Sequence, residues 1–223
     1  MKVKLIKSGF AGMKPGVNSV VVGTDSTGTI TMTTARINRR QSLLLLAGAP
    51  LAFSAAHAQA TTMSRISAFA FSFTGLDGAD IKLVDYAGKP ILVVNTASQC
   101  GYTPQFTGLQ QLWAQFHDRG LMIVAVPSND FGGQEPGDAR EIAETANHQY
   151  GVKFPIAAKA VVKGAQAHPF FKWAAAERPR EVPKWNFHKY LIGDDGYIAA
   201  VFPSEVEPTD TRVVTAIAKE LKA

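Results

Sequence analysis

The sequence predicts an α/β domain: a central mixed sheet with an N-terminal β-hairpin and helices on both faces. Three observations predict it. Two apolar runs, Ile91-Leu92-Val93-Val94 and Leu121-Met122-Ile123-Val124-Ala125-Val126, have the unbroken hydrophobicity of strands covered on both sides. Between them Phe106, Leu109, Leu112, Trp113 and Phe116 form a helical stripe over Gln105–Arg119, so the two strands form a parallel pair joined by a right-handed crossover. Further on, Gly193-Asp194-Asp195-Gly196 separates two strand patterns, Asn186–Ile192 and Tyr197–Phe202, and signals an antiparallel hairpin.

The remaining elements follow in order. Phe69–Phe73 alternates as a strand, Leu76-Asp77-Gly78 turns the chain, and Asp80–Val84 returns as its partner. Gly120 closes the first helix where a left-handed cap is needed. Helical periodicity resumes over Asp138–His148, an extended stretch follows near Ile156–Val162, and Pro169–Glu177 reads as another helix. The closing helix spans Thr209–Leu221, with Thr209 as its cap.

Ahead of this domain lies a different kind of sequence. Arg39-Arg40 precedes the short apolar core Leu43–Phe53, and Ala56-His57-Ala58 and Ala58-Gln59-Ala60 offer small-x-small cleavage sites. A basic region, a short apolar core and such an end describe an export signal over residues 32–60, cleaved near Ala58 to Thr61. The core is shorter than the roughly 20 residues of a spanning helix, so no stable membrane insertion is expected. Asn38-Arg39-Arg40-Gln41-Ser42-Leu43-Leu44 resembles a twin-arginine signal with Ser42 in place of the usual Phe; an ordinary secretory signal is the alternative. Met32 begins a signal of ordinary length. Residues 1–31 are therefore expected to be foreign to the natural protein or to precede its true start, and the exported, periplasmic product is expected to be residues 61–223.

This division reassigns the charge. The chain is +5 overall, but seven of its 23 Lys/Arg and one of its 18 Asp/Glu lie in the first sixty residues, leaving 16 against 17, or −1, for the domain. That balance gives no support to nucleic-acid binding.

Cys100 is the only cysteine among 223 residues. It stands where the buried strand Ile91–Asn95 turns into the helix near Pro104. Unpaired amides at such a turn, and the positive end of the helix, stabilise negative charge on sulfur, and the thiolate is the nucleophilic form. Position alone is equally compatible with a small packed residue. A catalytic thiolate also needs donors that receive charge on a leaving group. Gln134, in the glycine-rich loop Phe131-Gly132-Gly133-Gln134-Glu135-Pro136-Gly137, is one candidate; Trp185 and Asn186, before the last hairpin, are two more. Singly, each reads as readily as a loop, core or turn residue. Glu135 reads as a loop-anchoring charge. Lys184 and Lys189 either raise the local positive potential or form a solvated basic rim. The histidines have no cysteine partners and no metal spacing.

Together the ordered motifs Val94-Asn95-Thr96-Ala97-Ser98-Gln99-Cys100-Gly101-Tyr102-Thr103, Val126–Gly137 and Trp185-Asn186-Phe187 resemble the glutathione peroxidase family, with support from Tyr150–Pro155 and Ala167-His168-Pro169. The resemblance covers most of Phe69–Leu221 and implies a thioredoxin-like fold. It makes Cys100 the peroxidatic residue and matches Gln134, Trp185 and Asn186 to the other members of the family's catalytic tetrad. It implies reduction of hydrogen peroxide and organic hydroperoxides to water or alcohol through a cysteine sulfenic acid, and a part in the response to oxidative stress.

The chain departs from thioredoxin-using relatives, which carry a resolving cysteine on the helix before the Phe-Pro motif. Ala143-Glu144-Thr145-Ala146-Asn147-His148 has none. The expected reductant is therefore an external thiol, a small one such as glutathione or one on a protein, with no cofactor and no metal. The short segment between Lys172 and Trp185 lacks the insertion that supports tetramers in some relatives, so a monomer is expected. Two rivals remain. A redox-inactive thioredoxin-like binding or chaperone module would share the fold; a copper-handling assembly factor normally needs two cysteines and a histidine.

Overall fold

The structure is a computed structural model. It describes residues 66–221 throughout and, before them, the backbone of two strands. The chain divides into two units, Met1–Thr61 and Thr62–Ala223. In the first, β1 (Val20–Thr24) pairs antiparallel with β2 (Ile30–Thr34), Val20 opposite Thr34. The pairing includes Met32, the expected start. The arginine pair, the apolar core and the cleavage sites lie outside the described residues.

The second unit is built on a four-stranded mixed sheet in the order β6-β5-β7-β8. Strand β5 (Ile91–Thr96) pairs parallel with β6 (Met122–Pro127), Ile91 opposite Met122, and antiparallel with β7 (Lys189–Ile192), Ile91 opposite Ile192. Strand β8 (Ile198–Phe202) completes the hairpin with a register shift at Leu191/Ile192. Every residue of β5 and β6 is buried. Their unbroken apolar runs follow from cover on both faces.

Alternation along β5 divides the core in two. Leu92 and Val94 pack with α1 (Gln105–Phe116) and α4 (Thr211–Glu220) through Phe106, Leu109, Val213 and Ile217. Ile91 and Val93 pack on the other side with α3 (Pro169–Glu177) and the hairpin of β3 (Ser72–Thr74) and β4 (Asp80–Lys82), through Phe170, Trp173 and Phe73. Burying this apolar surface is the main source of stability.

Element identities agree with the sequence reading, and several boundaries do not. The expected strand at Phe69 opens instead as a 3₁₀ turn over Ala68–Ala70, and the return strand ends in another over Leu83–Tyr86. The helix expected over Asp138–His148 is a short α2 (Ala139–Ala143) that widens into a π-helix over Glu144–Gln149. Ile156–Val162 forms no strand; it contributes isolated bridges, Ile156 to Ala125 and Ala157 to Gly75. The last helix is capped by Asp210, which accepts the Arg212 N–H, and Thr209 lies outside it. Asn186 and Phe187 form a turn before β7 instead of its first residues. Among the described residues no helix is long and apolar enough to cross a membrane.

Candidate active site

Cys100 sits in the turn between β5 and α1 and is 7% exposed. Thr103 builds the turn. Its hydroxyl oxygen accepts the Cys100 N–H at 3.0 Å, and its single proton is directed at the carbonyls of Ala97 and Cys100, 2.9 and 2.7 Å away. This is a local side-chain turn of the kind short hydroxyl residues favour. The sulfur accepts the Tyr102 N–H at 3.4 Å.

That contact corrects one expectation. The first amides of α1 are not open to the sulfur: Gln105, Phe106 and Thr107 donate to the carbonyls of Tyr102, Thr103 and Pro104. The protein donor to the sulfur is a turn amide, Tyr102 N–H.

A second layer holds the turn against the loop after β6. Gln99 N–H donates to the Gln134 carbonyl at 3.0 Å, and Ser98 N–H to Glu135 Oε2 at 3.0 Å. Glu135 is buried, and Oε1 has no protein partner. Burial pushes its carboxyl above the ordinary value, while the Ser98 hydrogen bonds and the Lys159 charge oppose the rise. Glu135 thus anchors the loop to the cysteine turn. Lys159 Nζ fastens the other side, donating to the carbonyls of Glu135, Pro136 and Gly137.

The predicted donors meet at this loop. Asn186 Nδ2 donates to Gln134 Oε1 at 3.0 Å, and Asn186 is fully buried. The Trp185 ring lies 6.0 Å from that of Phe131, centroid to centroid. Gly132 has φ +66°, and a Cβ there would stand 3.3 Å from the indole. The glycine supplies both the left-handed backbone and the space beside the ring. Among the described residues neither Trp185 Nε1 nor Gln134 Nε2 donates to a protein acceptor, so both retain hydrogen-bonding capacity. Trp185 is 39% exposed, against the core reading of this residue. A cleft of about 630 Å³ is lined by Tyr102, Lys184, Trp185, His188 and Glu205. Its size suits a small ligand.

Two residues take roles that the sequence reading did not give them. Lys189 is fully buried, which overturns its assignment to a solvated rim; Nζ donates to the Phe187 carbonyl at 2.6 Å. Burial lowers its amine to about 7, with Glu207 and Glu205 opposing the drop. Asn95, also fully buried, donates from Nδ2 to the Trp185 carbonyl and accepts the His188 N–H at Oδ1, both at 3.1 Å. The signal was a polar residue at the end of each central strand, but its meaning depends on a partner segment about 90 residues away. His168, of structural appearance in the sequence, caps α3 through Nδ1 and stacks on Phe73.

The family model for glutathione peroxidase matches residues 68–175. A glutathione peroxidase-like peroxiredoxin of Chlamydomonas reinhardtii is 44% identical over 143 residues, covering 63% of this chain and 88% of its own. A hydroperoxy fatty acid reductase of Synechocystis is 41% identical over 159 residues, covering 67% and 94%. The crystal structure of a thioredoxin-family thiol:disulfide interchange protein from Chlorobium tepidum superposes with a TM-score of 0.52 at 16% identity, covering 68% and 93%, and shows the fold to be thioredoxin-like. The chain belongs to the glutathione peroxidase family and is a peroxidase, an oxidoreductase that takes peroxide as its electron acceptor.

Proposed function

We propose that Cys100 reduces hydrogen peroxide and organic hydroperoxides and is regenerated by an external thiol. One observation carries the reading: the single cysteine's sulfur accepts the Tyr102 N–H, and Tyr102 lines the same cleft as the solvent-accessible Trp185. The thiolate attacks the terminal peroxide oxygen, an S–O bond forms and the O–O bond breaks. The departing alkoxide or hydroxide takes a proton delivered through water and leaves as alcohol or water. Sulfur is oxidised by two electrons to the sulfenic acid. Trp185 Nε1 and the Gln134 amide donate to the sulfur and to the departing oxygen, and Asn186 holds Gln134 in place.

The return half uses two equivalents of thiol. The first displaces water from the sulfenic acid and leaves a mixed disulfide on Cys100. The second attacks that disulfide, releases the oxidised thiol and restores the thiolate. With one cysteine in 223 residues, the chain has no internal resolving partner. The reaction needs no bound cofactor, and the protein acts as a monomer. The Synechocystis relative's name favours fatty acid hydroperoxides among the organic substrates.

The test is peroxide turnover by the wild type and Cys100→Ser, with glutathione and with thioredoxin as reductants. Turnover that disappears in Cys100→Ser supports the reading. A wild type that consumes no peroxide with any thiol supports the redox-inactive module instead. Residues 32–60 are proposed as the signal that exports the enzyme to the periplasm. N-terminal sequencing of the native product should find an end between Ala58 and Thr61, and an end far from there contradicts export.

A further inference from the structure

Phe187 is the one non-glycine residue with positive φ among the described residues, at +64°. A bulky side chain rarely adopts this conformation, which persists only where the surroundings enforce it. Here the enforcing groups are identifiable. Phe187 N–H donates to the Asn95 carbonyl and Phe187 C=O accepts from Lys189 Nζ, both at 2.6 Å. Asn95 takes the flanking groups: its side chain holds the Trp185 carbonyl and the His188 N–H, and its own N–H donates to the His188 carbonyl at 3.3 Å. The Phe187 ring is locked edge-on against Phe106 with centroids 5.3 Å apart. The reversal at Phe187 sends this ring into the core while the preceding Asn186 side chain reaches Gln134.

We infer that Asn95 and Lys189 are positioning residues for peroxide reduction, together clamping the left-handed turn at Phe187 so that Asn186 stays on Gln134 and Trp185 stays at the cleft. Neither makes a contact with Cys100 among the described interactions. The amine of Lys189 donates to the Phe187 carbonyl whether or not it carries the extra proton. The inference rests on the proposed function, because it assigns the clamp to donors that the reading uses.

The test compares Lys189→Met, which keeps the chain length and removes the donor, with the wild type in three measurements: peroxide oxidation of Cys100, alkylation of Cys100 by iodoacetamide, and Tm. Misplacement of donors by about 1 Å costs on the order of 100-fold in rate. The clamp therefore predicts peroxide oxidation at least about tenfold slower, with alkylation within about twofold and only a small change in Tm, since removing a buried amine offsets the cost of leaving the Phe187 carbonyl unpaired. In an Asn186→Ala background, Lys189→Met should cost clearly less than in the wild type, because part of its effect runs through Asn186. Oxidation at the wild-type rate overturns the inference. So does a parallel fall in oxidation, alkylation and Tm, which marks a merely structural role, and so does full additivity in the double variant. Should Lys189→Met fail to fold, Asn95→Ser is read by the same criteria. A wild type without peroxidase activity sinks the proposed function, whereas an active wild type with unaffected variants sinks the clamp alone.

Discussion

Cys100 depends on small local features. Thr103 shapes the turn, Tyr102 supplies the amide, and Glu135 and Gln134 tie the turn to the neighbouring loop. Peroxide reduction should fall by about 10³-fold or more in Cys100→Ser, measured as hydroperoxide consumed with excess thiol. Trp185→Phe removes the exposed donor and keeps most of the ring; the second-order rate of Cys100 oxidation should drop by about 10²-fold, and a normal rate contradicts the donor role. Gly132→Ala forces an alanine into the left-handed region and a methyl group against the indole, and should destabilise the fold by about 1–2 kcal/mol, seen as a lower Tm. An unchanged Tm sinks that account. The candidate nucleophile and candidate donors stand out in the sequence because they lie in contiguous, recognisable stretches. Asn95 and Lys189 do not, because their partners are carbonyls and amides of distant residues, and a lysine beside an aromatic segment reads as solvated until its burial is seen.

His188 carries a stability prediction at the same scale. Burial, reinforced by the neighbouring Lys189 charge, lowers it from the ordinary 6.5 to about 4. Between those values the unfolded chain binds a proton that the folded chain refuses. The contribution is present above about pH 6.5 and is lost as pH falls through about 4, on the order of 3 kcal/mol in total. Urea unfolding at pH 7 and pH 4.5 should show a larger loss for the wild type than for His188→Gln; equal losses contradict it.

At the scale of elements, α2 presents the clearest local device. Asp138 accepts the N–H groups of Arg140 and Glu141, and Glu141 returns a contact to the Asp138 N–H. This capping box starts a helix of only five α-helical residues before the π-turn. Asp138→Ala should cost about 1 kcal/mol by denaturant unfolding; no loss means that packing of Ile142 and Ala146 holds the helix unaided. Helix and central-strand identities were readable because burial imposes an apolar period of 3.6 on the helices and an unbroken apolar run on strands covered on both faces. Boundaries were less so. A 3₁₀ turn at Ala68–Ala70 and a π-helix at Glu144–Gln149 change the hydrogen bonding without erasing the apolar pattern that announced a strand or a helix.

For the molecule as a whole, the sheet brings together three segments separated by 34 and 51 residues of chain, counted from Cys100 to Gln134 and from Gln134 to Trp185. Strand β5 leads to the cysteine turn, β6 leads into the glutamine loop, and β7 follows the Trp-Asn bend. Parallel pairing of β5 with β6 and antiparallel pairing with β7 put those three ends on one edge of the sheet. The fold class was legible from the two apolar runs and the Gly-Asp-Asp-Gly hairpin; the hydrogen bonds that join the ends were not, since no residue pattern encodes which carbonyl a buried side chain will meet. Under the proposed mechanism, a single cysteine at such an edge makes the oxidised intermediate dependent on outside thiol. The most direct measurement is the intact mass of the wild-type protein after one equivalent of hydroperoxide in the presence of dimedone and no thiol. The account predicts one dimedone adduct per chain, absent from Cys100→Ser and from protein given thiol before the trap. An unmodified chain that nevertheless consumes peroxide contradicts the sulfenic acid at Cys100.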